Sequence, residues 1–131
     1  METPPNMIDS DGITISQAEV DRFVAATRSE HLRGIPPTFL TIYRKSEFDL
    51  LNELQVNWRY LLHAEQEYEY LGPLTLNKEP VAVSKVVDQK ERRRREEVMR
   101  FIKTETDFFI DDKLVAKGRS TFVVREPVEA A

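Results

Sequence analysis

The sequence predicts an α+β fold in which helices come first and an antiparallel sheet follows. Before Trp58, apolar residues recur at helical spacing in two stretches that a diproline separates. After Trp58 the period changes to two, which is typical of strands. Because helices and strands occupy separate parts of the chain, the order favours α+β over an alternating α/β architecture.

Composition indicates a single domain. The chain has 131 residues, of which 40% are hydrophobic, enough for one core and short for two. Cysteine is absent, which excludes disulfides, thiolate metal sites and a cysteine nucleophile. The net charge of -4 argues against general nucleic-acid binding, and no apolar run suits a membrane span or a signal sequence. We expect a cytoplasmic protein without nucleic-acid or membrane partners.

The first predicted element is a helix over residues 16–31. Ser16 and Glu19 form an S-x-x-E capping box, and Gly34 suits the left-handed conformation that ends a helix. Residues 1–12 are polar and aperiodic, so we expect a flexible N-terminal arm. Residues 13–127 are then a single domain, and residues 128–131 a flexible C-terminus.

A second helix follows the diproline. Pro37 suits a first helical turn, where its missing N–H would have no partner. The predicted helix is apolar on most sides and runs for about 16 residues, or about 24 Å. Its apolar residues are Phe39, Leu40, Ile42, Tyr43, Phe48, Leu50, Leu51 and Leu54.

Four strands are predicted over residues 62–70, 80–88, 98–110 and 113–125. Hairpins at residues 89–97 and 111–113 join the last three into an antiparallel meander. In the first strand, simple alternation places two sets of residues on opposite faces. One set is Leu62, Ala64, Gln66, Tyr68 and Tyr70, and the other is His63, Glu65, Glu67 and Glu69.

A long apolar helix followed by twisted antiparallel strands suggests a hot-dog fold, in which a curved sheet wraps a long central helix after a short preceding helix. Three segments also resemble the N-terminal hot-dog domain of MaoC-like dehydratases. They are GIPPTFLTIY at 34–43, LHAEQEYEYLGPL at 62–74 and GRSTFVVRE at 118–126. The group includes accessory, non-catalytic subunits of (3R)-hydroxyacyl-ACP dehydratases, and the resemblance covers residues 14–126.

The resemblance implies an acyl-CoA or acyl-ACP thioester substrate, a role in fatty acid metabolism, no cofactor, and a homodimer or a heterodimer with a catalytic hot-dog subunit. Catalytic relatives carry a G-D-x-N-P-x-H loop before the central helix. Residues 27–34 depart from that pattern, with no Asp and no Asn-Pro. Hydration needs both a base and an acid, and His31 alone does not supply both. The resemblance therefore implies the non-catalytic half of a hydratase or dehydratase.

Six residues are predicted to bind substrate, and none is assigned a catalytic role. They are Pro37, Thr38, Phe39, His63, Gln66 and Tyr68. The aromatic side chains of Phe39 and Tyr68 either line an acyl tunnel or belong to the ordinary core, and the sequence leaves both interpretations open.

His63 and Glu65 are weaker candidates for catalysis. They lie two apart on one predicted strand face, where an imidazole and a carboxylate suit a stand-alone thioesterase or hydratase. A solvated or dimer-facing strand is the other interpretation, and a non-enzymatic acyl-CoA-binding regulator is a third function.

The run KERRRREE at residues 90–97 contains four consecutive arginines. It could bind the phosphate of CoA, an acyl carrier protein or nucleic acid. Glutamates flank it, so the sequence favours a solvated hairpin tip.

Overall fold

The protein is described here by a computed structural model, which covers the backbone of residues 7–9 and residues 11–128 in full. An antiparallel sheet of five strands has the order β1-β3-β4-β5-β2. Two α-helices and two 3-10 turns precede its long strands. In chain order the elements are β1 (Met7–Asp9), α1 (Gln17–Thr27), the turn Phe39–Ile42, α2 (Lys45–Glu53), the turn Trp58–Tyr60, β2 (Leu61–Tyr70), β3 (Val81–Arg93), β4 (Glu97–Ile110) and β5 (Lys113–Pro127).

Helix α1 starts where the capping box predicts and ends early. The Ser16 hydroxyl accepts the Glu19 N–H at 3.1 Å. The helix stops at Thr27 because Arg28 adopts a left-handed φ of 53° and its N–H bonds to the Val24 carbonyl. The predicted end at His31 is therefore wrong, and Gly34 belongs to the following loop.

The central helix is shorter than predicted. A 3-10 turn over Phe39–Ile42 is followed by a break at Tyr43, whose ψ of 77° is not helical, and α2 spans nine residues. Asp11 supplies the missing cap, since its Oδ2 accepts the Lys45 N–H at 3.0 Å. The fold class is confirmed, but the continuous helix of about 16 residues is wrong.

The interior contains two apolar clusters separated by polar groups. The first cluster centres on Phe39, Leu40 and Phe108, and the second on Ile102, Phe122 and other side chains near the end of α2. Between them lie five buried hydroxyl residues, called the hydroxyl belt: Ser46, Ser84, Thr104, Thr106 and Ser120. Ser46 Oγ accepts the Ser84 N–H at 3.0 Å, and the Ser84 and Thr106 hydroxyls are 2.7 Å apart, so the belt satisfies much of its own hydrogen bonding.

The meander of β3, β4 and β5 is confirmed, although its first hairpin is tighter than predicted. Pairing continues to Arg93 opposite Val98, and the Arg94 N–H closes the turn on the Glu97 carbonyl at 2.8 Å. Most of the predicted loop at 89–97 is therefore strand. The second hairpin uses Asp111 and Asp112, which both have positive φ, as a two-residue turn requires.

A bulge in β2 changes the predicted faces of that strand. His63 pairs with Phe122 and Glu65 with Thr121, so Ala64 is an extra residue. The residues before the bulge exchange faces relative to simple alternation, and Leu62 is consequently 55% exposed on the outer face. The inner face, toward α2, carries His63 and then Gln66 and Tyr68.

The sequence predicts that residues 1–12 are a flexible arm without secondary structure. The structure differs at residues 7–9, which form β1 and pair with β3. Residues 1–6, 10 and 129–131 lie outside the described part of the chain. Over residues 11–128, neither helix has the length and apolar character that a bilayer span requires.

Gly118 provides a test of inner-face packing. A Cβ there would lie 3.2 Å from ring carbons of both Phe108 and Tyr68. We expect Gly118→Val to lower the free energy of unfolding by about 1–3 kcal/mol through overpacking, as measured by urea denaturation. Gly72→Ala is the control, since its Cβ would meet Val115 at an ordinary 3.7 Å. Equal stability of both variants would contradict this packing.

Candidate functional site

A buried carboxylate lies between α2 and the sheet. The side chain of Glu47 is 4% exposed, and its Oε2 accepts hydrogen bonds from Thr104 Oγ1 at 2.9 Å and Ser120 Oγ at 2.7 Å. Around it is a group of side chains that we call the buried polar cluster: Arg44, Glu47, His63, Gln66, Thr104 and Ser120. A buried charge is costly unless it is paired and hydrogen-bonded, and these contacts offset that cost for Glu47.

Arg44 compensates the charge of Glu47. Its Nη1 is 2.9 Å from Glu47 Oε1, and the same nitrogen donates to Gln66 Oε1 at 3.1 Å. Glu47 Oε1 accepts no well-aligned hydrogen bond from residues 11–128. The 2.9 Å contact between Arg44 Nη1 and Glu47 Oε1 is therefore an ion pair. The two residues are three apart at the start of α2, which places both on the helix side that faces the sheet.

Gln66 connects the cluster to β2. Ser120 Oγ is 2.6 Å from Gln66 Oε1 as well as 2.7 Å from Glu47 Oε2. A hydroxyl carries one hydrogen, so Ser120 donates to one of these oxygens at a time, and the carboxylate is the stronger acceptor. Gln66 therefore depends mainly on Arg44 for its hydrogen bond.

His63 closes the cluster at the sheet edge. Its ring stacks on Phe122 at 4.8 Å and 23°, and its Nδ1 is 3.0 Å from Arg44 Nη2. A guanidinium has no acceptor, so Nδ1 must accept and the ring proton lies on Nε2. The Arg44 side chain is 21% exposed, and His63 is exposed, so the cluster reaches the surface at this edge.

Glu65 lies on the other side of the sheet. It lines a groove of about 510 Å³ with Lys103 and Arg119, and Gln66, Thr104 and Ser120 of the buried polar cluster also border this groove. The interpretation that His63 and Glu65 share one strand face is wrong, because the bulge at Ala64 lies between them. Arg119 also donates to Glu67 and Glu69 at 2.8 and 2.9 Å, so this face is a surface ion-pair network.

The predicted substrate-binding residues lie in three environments. His63 and Gln66 belong to the buried polar cluster, and Tyr68 is partly buried beside them, 6.3 Å from the Phe108 ring. Pro37 lines an apolar groove of about 330 Å³, where its carbonyl accepts the Tyr70 hydroxyl. Thr38 is exposed beside Pro37.

Phe39 is fully buried between Phe23 and Tyr43, with ring centroids 5.5 and 6.1 Å away. Its described environment is the core.

Sequence reasoning missed Arg44 and Glu47. Both fall in the stretch of residues 39–54 that the sequence predicts to be a helix apolar on most sides. The available signal was an acidic residue among apolar helical positions, three residues after an arginine. Within residues 11–128, no group of three or more His, Asp or Glu side chains is arranged to hold a metal ion.

A curved antiparallel sheet packed on a central helix, with a polar cluster at the sheet edge, defines a hot-dog protein. Residues 14–117 match the family described as "FAS1-like, dehydratase domain region", and the chain belongs to that family. The resemblance to MaoC-like dehydratases is thereby confirmed. No curated protein matches the chain significantly.

Solved structures share the fold. One is the C-terminally truncated HadBC (3R-hydroxyacyl-ACP dehydratase) complex of Mycobacterium tuberculosis, with a TM-score of 0.72, 17% identity, and coverage of 91% of this chain and 94% of that one. The ChsH1-ChsH2 complex of the same organism has a TM-score of 0.63 and 13% identity, and the match covers 98% of this chain and 86% of that one. A MaoC-like dehydratase from Rhodospirillum rubrum has a TM-score of 0.58 and 12% identity, and the match covers 98% of this chain and 96% of that one.

The role of Glu47 can be measured by unfolding. We expect Glu47→Ala to lower the free energy of unfolding by about 3 kcal/mol, because it leaves Arg44 without its carboxylate and two hydroxyls without their acceptor. Glu65→Ala is the matched control on the exposed outer face, with an expected change within about 0.5 kcal/mol. Similar losses in both variants would contradict the assigned role of Glu47.

Alkaline titration tests the burial of the tyrosines. Burial raises the pKa of Tyr70 to about 12, and burial is also the main cause of the raised pKa values of Tyr43 and Tyr68. A folded pKa above the unfolded value of about 10 stabilises the fold below pH 10, and that contribution is lost as the pH rises toward 12. Phenolate absorbance should therefore rise together with unfolding. Ordinary titration of all four tyrosines near pH 10 in a folded protein would be the contrary result.

Proposed function

We propose that this protein is the non-catalytic half of a cytoplasmic (3R)-hydroxyacyl-CoA or -ACP hydratase/dehydratase of fatty acid metabolism. In this proposal it binds an acyl thioester beside the buried polar cluster and pairs with a catalytic hot-dog subunit. The substrate contacts are Pro37, Thr38, His63, Gln66 and Tyr68. Membership of a dehydratase family supports the reaction class.

The observation that carries the proposal is the lack of a free acid and base pair in the cluster. Glu47 is engaged by Arg44 and two hydroxyls, and Nδ1 of His63 faces Arg44. The chain has only two histidines, and the other, His31, lies exposed in the loop after α1. Enoyl-thioester hydration needs a base to activate water and an acid to protonate the α-carbon. A partner that supplies both completes the reaction.

The open edge of the sheet supports a partner. In the described sheet, β2 pairs on one side only, with β5, so its outward N–H and C=O groups are available to another strand. The buried polar cluster opens at the same edge through His63 and Arg44. A second hot-dog subunit docked along β2 would place its own residues next to the cluster. HadBC and ChsH1-ChsH2 are themselves complexes.

The stand-alone enzyme is disfavoured by the bulge at Ala64. A hydratase or thioesterase that uses Glu65 with His63 requires the two side chains on one face, and they lie on opposite faces. A non-enzymatic regulator that binds acyl-CoA shares the same binding site and differs in needing no catalytic partner.

Activity reconstitution tests the proposed function. The full chain is purified alone and as the complex recovered from its native cell, and hydration of crotonyl-CoA is followed in both samples. We expect turnover only in the complex, with a catalytic hot-dog subunit as the second component. The His63→Ala variant should keep partner-dependent turnover with a raised KM, since His63 contacts the substrate and the partner supplies the acid and base.

Full hydration by the chain alone would refute the non-catalytic assignment, and its loss in His63→Ala would establish a stand-alone enzyme. Binding of crotonyl-CoA without turnover in any complex would favour the regulator.

A further inference from the structure

The four consecutive arginines lie on a rigid support. We call Arg92, Arg93, Arg94 and Arg95 the arginine tip. β3 and β4 pair in register as far as Arg93 and Val98, and the Arg94 N–H bonds to the Glu97 carbonyl at 2.8 Å. β4 is also paired with β5 as far as Glu97, opposite Pro127. The arginine tip therefore lies at a short turn on the end of three paired strands, which fixes its backbone relative to the sheet.

The arginine tip is not neutralised within the described chain. None of its four exposed guanidinium groups forms an ion pair or hydrogen bond with another residue of 11–128. Cations on the outer face behave differently, since Lys85, Lys117 and Arg119 each contact a carboxylate. Positive charge that is held in place and left unpaired favours binding of a multivalent anion.

A groove joins the arginine tip to an aromatic ring. It has a volume of about 650 Å³, and Tyr60, Arg94, Arg95 and Arg125 line it together with two glutamates. Arg125 neutralises one of these, Glu97, through two nitrogens at 3.1 and 3.2 Å. Arginines recognise phosphate through paired N–H donors, and a ring face stacks on a nucleobase. The lining suits a phosphorylated nucleotide.

The groove also lies at a suitable distance from the buried polar cluster. Leu61, directly after Tyr60, pairs with Val124, and Gln66 pairs with Ser120. Five residue steps of β5 separate Arg125 from Ser120, or roughly 17 Å of strand. A phosphopantetheine arm has about thirteen bonds from phosphorus to sulfur, equal to between four and five residues of extended chain, or about 15 Å. Arg125 and Ser120 are an odd number of steps apart, so their side chains lie on opposite faces of β5. The arm is similar in length to this strand segment, and it passes over the β2 edge to reach the inner face.

We propose that the arginine tip and Tyr60 bind the phosphorylated nucleotide of CoA, so that the pantetheine arm follows the β2 edge to the buried polar cluster. This inference rests on the proposed acyl-thioester function and deepens it, because it names acyl-CoA as the substrate class over acyl carrier protein. Arg94 and Arg95, the two members of the arginine tip that line the groove, contact the phosphates, and the exposed part of the Tyr60 ring packs against the base. Glu96, which also lines the groove, opposes the phosphate charge.

Calorimetric titration of the full chain with CoA, dephospho-CoA and pantetheine tests the proposal. We expect Arg94→Ala/Arg95→Ala to weaken CoA binding about tenfold, since charge-assisted hydrogen bonds to phosphate are lost, and to leave pantetheine binding unchanged. For dephospho-CoA, the loss of affinity in this double variant should lie between the loss for CoA and the unchanged affinity for pantetheine. Glu96→Gln should tighten CoA binding.

The control variant is Arg28→Ala/Arg33→Ala, which removes the same charge from exposed arginines in the loop after α1. It should bind CoA like the unmodified chain. The exposed side chains of Arg94 and Arg95 form no hydrogen bond or ion pair within residues 11–128, so their variant should remain folded, as circular dichroism will verify.

Three results would overturn the inference: no CoA binding by the unmodified chain, equal CoA affinity in the tip and control variants, or an equal loss for pantetheine. A tip variant that keeps CoA affinity but loses affinity for an acidic acyl carrier protein would also overturn it, because the arginine tip would then be a protein-docking surface.

The two proposals fail in different ways. In one outcome, the unmodified chain and the tip variant bind crotonyl-pantetheine equally and also bind CoA equally. This result supports the thioester function and refutes the nucleotide site. In the other outcome, the tip variant loses affinity for CoA, but an added acyl group does not increase the affinity of the unmodified chain. This result supports the nucleotide site and refutes the thioester function.

Discussion

The ionised contact between Glu47 and Arg44 is the constraint on which the rest of the interior depends. A carboxylate at 4% exposure requires compensation, and Arg44, Thr104 and Ser120 provide it. This requirement explains why the inner face carries the hydroxyl residues Thr104 and Ser120 where an ordinary sheet would carry aliphatic ones. It also fixes the rotation of α2, since another helix face toward the sheet would leave the carboxylate without partners.

The hydroxyl belt divides one core into two apolar clusters with different helical supports. The 3-10 turn before α2 packs on the first cluster, and the end of α2 packs on the second. A single straight helix has one axis, whereas the break at Tyr43 lets the chain satisfy both clusters while Asp11 caps the new helix start. The polar division of the core and the interruption of the central helix are thus two aspects of one packing solution.

The bulge at Ala64 connects this interior to function. Because it turns His63 inward, the buried polar cluster reaches the β2 edge, and the acidic side chains Glu67 and Glu69 of that strand form surface ion pairs on the other face. The same edge runs from the polar cluster toward Tyr60 and the arginine tip. A thioester ligand and a second subunit would therefore meet along one strand, which is consistent with an accessory subunit whose partner supplies the reactive groups.

The sequence by itself determined the α+β order, the meander, the start of α1 at Ser16 and the family, because local periodicity, capping and motif residues report these features directly. Tertiary structure decided what local patterns do not encode. The end of α1 at Arg28, the break at Tyr43 and the bulge at Ala64 each follow from contacts with distant residues or from one backbone angle, and alternation has no means of counting an inserted residue. Glu47 was hidden for the same reason: its partners Thr104 and Ser120 are more than fifty residues away in the chain and meet it only when the sheet closes over α2.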